Sequence, residues 1–119
     1  MNVIMKFGGT SVADADAMHR VIAIVRGQLE RSAAGTPPVV VISAMSKVTD
    51  RLIESTRLAA DGDGDGAANI LRELLDRHIG VATALVAGEG LARLTAQLNG
   101  DFSALIEIVR TLARHHDVS

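Results

Sequence analysis

The chain opens on a short apolar stretch rich in β-branched residues, Asn2 to Lys6, which predicts a buried strand. From Asp14 to about Glu30 the period changes. Met18, Val21, Ile22, Val25 and Leu29 recur at spacings of three and four, the signature of one helix face, and Asp14 or Asp16 can serve as N-cap. Gly35-Thr36-Pro37-Pro38 breaks that pattern. Val39-Val40-Val41-Ile42 then forms a continuous β-branched run, of the kind buried on both faces of a parallel sheet. Together these predict a β-α-β unit with a right-handed crossover.

The remainder reads as helical. Val48 to Ala60 predicts one helix, with Leu52, Ile53 and Leu58 partly on one side. Asp61-Gly62-Asp63-Gly64-Asp65-Gly66 interrupts it, with Asp65 as the expected N-cap of the next helix. That helix, Ala67 to Ile79, carries Ile70, Leu71, Leu74, Leu75 and Ile79 as a stripe. Gly80, Gly88 and Gly90 leave 81–87 ambiguous, and a further helix is expected from Leu91 to Leu98. Asn99-Gly100 is a stop signal, after which Asp101 or Ser103 caps a last helix bearing Phe102, Leu105, Ile106, Val109, Leu112 and Ala113. The expected class is α/β, a β-α-β unit followed by a run of helices.

This inventory is unbalanced. About three or more strands are needed for a stable sheet, and a parallel sheet normally has both faces covered. The expectation is therefore that residues 1–119 are the N-terminal piece of a longer protein, and that the isolated piece covers its strand edges as a homo-oligomer.

Composition narrows the function. Apolar residues make up 48% of the 119 but aromatics only 2%, so the core must be aliphatic. A net charge of −2 provides no basic field and argues against nucleic acid as a partner. The absence of cysteine removes disulfides and thiolate chemistry. No apolar run approaches the ~18 residues of a membrane span, and the start is too short for a signal peptide. The chain thus reads as soluble and cytoplasmic, with no membrane partner. Ten of the twelve basic residues are arginine; the lysines, Lys6 and Lys47, both fall just after the two most strand-like stretches. Loops that follow parallel strands are where such folds place their sites.

The stretch with chemistry is Lys6-Phe7-Gly8-Gly9-Thr10-Ser11, a strand ending in two glycines on the way to a helix. Glycine lets the backbone turn sharply and approach a ligand closely. Main-chain N–H groups bared at such a turn favour anions such as phosphate. Lys6 adds a mobile positive charge, and Thr10 and Ser11 add hydroxyl donors. The set reads as a polyphosphate-binding loop with a cation placed to stabilise a transferring phosphoryl group. It differs from the P-loop pattern, because the lysine precedes the glycines. The plainer reading is a tight strand–helix turn with a solvated lysine.

Lys6-Phe7-Gly8-Gly9-Thr10-Ser11-Val12 resembles, residue for residue, the opening signature of aspartate kinases in the amino-acid kinase family. Val39 to Asp50, V-V-V-I-S-A-M-S-K-V-T-D, resembles that family's next block. The resemblance implies a partial three-layer amino-acid kinase fold, with the rest of the catalytic domain and the regulatory ACT domains absent here. It implies ATP-dependent phosphorylation of L-aspartate to 4-phospho-L-aspartate, the first step of lysine, threonine and methionine biosynthesis, with ATP and Mg²⁺ as cofactors. The magnesium ligands would be ATP phosphates and residues outside this chain. By position, Lys6 would be catalytic and neutralise the transferring phosphoryl group. Gly8 and Gly9 would hold the phosphates with Thr10 and Ser11 nearby, while Ser43 and Thr49 would help bind aspartate. From the residues alone, Ser43 and Thr49 are hydroxyls in a post-strand loop, equally suited to helix capping. Lys47 reads as a solvated surface lysine. The 119-residue chain by itself is expected to be inactive.

Other kinases of the family, acting on glutamate, acetylglutamate, carbamate or a nucleotide, are disfavoured by Thr-Ser-Val after the glycines. A non-catalytic helical interaction module, with the glycine pair as a mere turn, is the alternative of a different class. The Asp61–Gly66 repeat mimics half of a calcium loop, but the twelfth position, where a bidentate Glu is required, is Arg72. His115-His116-Asp117 lies at a helix end, and neighbouring histidines point to different sides of a helix, so no metal site is expected. His19 and His78 read as boundary residues beside apolar stripes.

Overall fold

A computed structural model describes residues 2–116. The chain divides into two compact units, with the boundary between Lys47 and Val48.

In the first unit, β1 (Ile4–Phe7) and β2 (Val39–Ile42) form a parallel pair, with Ile4 opposite Val39 and Lys6 opposite Val41. Between them α1 runs from Ala15 to Arg31. Asp14 is its N-cap, its carboxylate accepting the Ala17 amide at 2.8 Å. Val12, Ala17 and Val21 are buried, as is Met45 in the segment after β2. A 3₁₀ turn, Gly9–Val12, connects β1 to α1. One expectation needs correction: the β2 run is not buried on both faces, since Val39, Val41 and Ile42 are each about half exposed. Two strands are too few to cover one another, so the apolar composition of β2 exceeds what this unit buries.

The second unit is three helices: α2 (Val48–Ala60), α3 (Gly64–Leu85) and α4 (Gly88–Arg114). Its core is aliphatic, as expected, built on Ala59, Ala67, Ala68, Ile70, Leu71 and Leu74, with Phe102 and Val109 from α4. Ser55 is the buried polar residue here, and its hydroxyl donates to the Ala67 carbonyl at 3.1 Å. Arg51 pairs with Glu54 one turn along α2 and bridges to α3 through Glu73, both at 2.6 Å. These carboxylates, Glu54 foremost, push the guanidinium pKa above its ordinary value. His78 is a boundary residue as expected. Its Nδ1 lies 2.6 Å from the Leu74 carbonyl, and its ring meets Phe102 at 5.4 Å between centroids.

Three boundaries differ from the sequence reading. Asp63 rather than Asp65 caps α3, accepting the Gly66 amide at 2.8 Å, while Asp65 pairs with Arg110. The ambiguous stretch 81–87 continues α3 as far as Leu85. Asn99-Gly100 does not stop a helix, because α4 passes through it unbroken. A glycine in a helix interior costs only about 0.5–1 kcal/mol, less than the burial of Phe102 and Val109 just beyond it recovers. Within the predicted α4 stripe, Leu105 and Leu112 are exposed. His115 and His116 follow α4, and His116 Nδ1 lies 2.7 Å from the Ala60 carbonyl; Asp117 lies outside the described residues.

Candidate active site

The loops after β1 and β2 leave the sheet side by side. The Ser43 amide donates to the Phe7 carbonyl at 3.1 Å, extending the parallel ladder one step and setting Ser43 opposite Gly8. The Ser46 amide then donates to the Gly9 carbonyl, also at 3.1 Å. The contact is close: a Cβ on Gly9 would stand 3.3 Å from the Ala44 carbonyl oxygen and 3.4 Å from Ser46 Cα. The glycine pair and the Ser43–Lys47 loop thus form one laced structure.

Side-chain direction separates the candidates. Successive residues of a strand point to opposite faces. Phe7 lies on the α1 side, where it lines a shallow depression of about 190 Å³ with Ser11, Ala17, Arg20, Val21 and Ile24. Ile4 and Lys6 take the opposite face and are exposed. Gly8 is extended, with φ −77° and ψ 175°, so it continues the face of Lys6, about 6.6 Å further along the strand. Nothing lies within 4 Å of where its Cβ would be. Lys6 therefore stands next to a bare length of backbone. The first bond of the 3₁₀ turn runs from the Ser11 amide to the Gly8 carbonyl, so the amides of Gly9 and Thr10 precede it and have no partner within the turn.

Ser11 sits on the α1 side with Phe7, whereas Thr10 is exposed in the turn itself. Ser43 is exposed in the first unit, and Thr49 is exposed in the first turn of α2, which opens the second. None of the side chains of Lys6, Thr10, Ser11, Ser43 or Thr49 makes a hydrogen bond among the described residues, so neither Ser43 nor Thr49 is a helix cap. Sequence reasoning missed Ser46, whose amide fastens the loops together, and the left-handed backbone of Lys47. Neither residue type signals such a role. The described residues hold no cluster of three or more metal-ligating side chains.

A model of the amino acid kinase family matches residues 1–109. The chain belongs to the amino acid kinase family. Among curated members, it is 39% identical over 110 residues to the chloroplastic bifunctional aspartokinase/homoserine dehydrogenase 1 of Zea mays, covering 92% of this chain and 11% of that protein. It is 44% identical over 55 residues to the aspartokinase of Mycolicibacterium smegmatis, covering 46% of this chain and 12% of that one. Aspartokinase 3, chloroplastic, of Arabidopsis thaliana is 35% identical over 104 residues, 79% of this chain and 18% of its own. The chain thus spans about a tenth of the length of the bifunctional maize relative. Among its described residues the chain is mostly helical, with a small two-stranded parallel sheet.

Proposed function

We propose that the complete protein transfers the γ-phosphoryl group of ATP to the side-chain carboxylate of L-aspartate, giving 4-phospho-L-aspartate and ADP. A carboxylate oxygen attacks phosphorus, the bond to the bridging oxygen of ADP breaks, and that oxygen keeps the electron pair. An aspartate side chain has a pKa of about 3.9, so the nucleophile is already ionised at neutral pH and no proton need be removed. Such a site needs cations and amide donors rather than a general base. Lys6 and the open amides of Gly9 and Thr10 suit that demand, and the carboxylate in the loop after β1, Asp14, is engaged in capping α1.

In this reading Lys6 holds the charge developing on the phosphoryl oxygens, and Gly8 and Gly9 bring backbone against the phosphates. Thr10 and Ser11 flank them, and Ser43 and Thr49 bind aspartate. Magnesium, held by the ATP phosphates and by residues beyond this chain, would neutralise part of the phosphate charge. Aspartate as the acceptor is supported by the names of the relatives and by the two sequence blocks. The product stands at the start of lysine, threonine and methionine biosynthesis, and we place it in the cytoplasm. Among the described residues no helix is long and apolar enough to cross a membrane.

The observation that carries the proposal is Gly8. Its backbone is one any residue adopts and its Cβ position is empty, so nothing in the described chain requires glycine there, whereas a phosphate lying against it would. The test is phosphoryl transfer by the complete enzyme, with the acyl phosphate trapped by hydroxylamine as a hydroxamate. Lys6→Ala should lower kcat by ~10²–10³-fold with unfolding unchanged. Undiminished turnover in that variant, or no aspartyl hydroxamate from the parent enzyme, would overturn the reading.

A further inference from the structure

Lys47 is the one described residue other than glycine with positive φ, +71°. That left-handed region crowds the Cβ of an L-residue against its own carbonyl, and glycine occupies it without that penalty. Asparagine and aspartate offset some of the strain by bonding nearby backbone through a short polar side chain, which a lysine stem cannot do. Nothing else compensates, because Lys47 is exposed and makes no hydrogen bond or ion pair among the described residues. The loop thus holds a long cation in a conformation that a smaller residue would adopt more readily, and backbone outliers of this kind concentrate where a side chain has work to do.

Its position says where. Lys47 follows Ser46, whose amide is bonded to the Gly9 carbonyl at 3.1 Å and whose Cα would touch a Cβ on Gly9. The flexible four-carbon stem of Lys47 therefore starts one residue from the glycine turn. The other described basic side chains of the first unit, His19, Arg20, Arg26 and Arg31, all belong to α1, which leaves Lys6 near the end of β1 and Lys47 in the loop after β2.

We propose that Lys47 is a second phosphate ligand, its ammonium binding anionic oxygens of the nucleotide's polyphosphate. The left-handed backbone directs the chain from the Gly9 clasp so that the stem reaches them. The inference rests on the kinase reading of Lys6 and the glycine pair and extends it to a residue that sequence alone assigns to solvent. The contact is electrostatic, and no bond is made or broken at Lys47.

The test compares Lys47→Gly, Lys47→Met and Lys47→Arg in the complete enzyme, by calorimetric titration with MgATP and with inorganic tripolyphosphate, alongside KM for each substrate and thermal unfolding. Lys47→Gly and Lys47→Met should weaken binding of both anions by tenfold or more and raise KM for ATP, leaving KM for aspartate within about twofold. Lys47→Arg should recover part of the loss. Lys47→Gly, freed of the backbone strain, should unfold at the same temperature as the parent or higher, which separates lost binding from lost folding. Anion affinity within twofold of the parent in both Lys47→Gly and Lys47→Met would overturn the proposal, as would a rise confined to KM for aspartate. Normal Lys47 variants beside an inactive Lys6→Ala would sink this inference alone; an active Lys6→Ala would sink the kinase reading.

Discussion

The two adjacent glycines at the candidate site exist for different reasons. Gly9 is required by the chain itself, because a Cβ there would press on main-chain atoms of Ala44 and Ser46, which cannot rotate away. Gly8 has open space and ordinary dihedrals. Gly9→Ala should therefore destabilise this chain by about 1 kcal/mol or more in thermal unfolding. Gly8→Ala should leave the unfolding temperature where it was, yet lower kcat/KM for ATP in the complete enzyme by at least about tenfold, about 1.4 kcal/mol. If both substitutions behaved alike in both assays, the division between structural and ligand-facing glycine would be wrong. The placing of this pair just past a strand end that carries Lys6 was legible in the sequence. The division of labour was not, because it depends on Ser46, which comes from a separate strand-end loop.

Element by element, legibility followed the strength of the local pattern. α1 with its Asp14 cap, β2 and α2 could be read directly, because periodicity, capping chemistry and chain breaks agreed. The α4 helix could not, because Asn99-Gly100 is a local stop signal that tertiary burial of Phe102 and Val109 overrides. That conflict has a measurable remainder. Gly100 is helical with nothing within 4 Å of its Cβ position, so Gly100→Ala should raise stability by about 0.5–1 kcal/mol in urea unfolding. Leu71→Ala, at a position 2% exposed, should lower it by about 2–5 kcal/mol. A destabilising Gly100→Ala would mean that the helix needs the glycine there.

At the scale of the whole molecule, the sheet is what the sequence overstated. The pattern of β2 promised burial on both faces, and the composition asked for more sheet than two strands make. Instead Ile4 is 72% exposed and Ile42 56% exposed, on strands that each have a free edge. Such surface drives association. This chain alone should form dimers or larger species at micromolar concentration by light scattering, and Ile4→Lys together with Ile42→Lys should shift it toward monomer. A monodisperse parent monomer would show that the exposed strands are tolerated in water.

The clasp between the strand-end loops also bears on how two substrates could be handled. On the proposed reading, a molecule bound at one strand-end loop would also steady the other, through the bonds from Ser43 to Phe7 and from Ser46 to Gly9. The second arrival then has less motion to freeze out, so each should sharpen the affinity for its counterpart, and by the same factor whichever comes first.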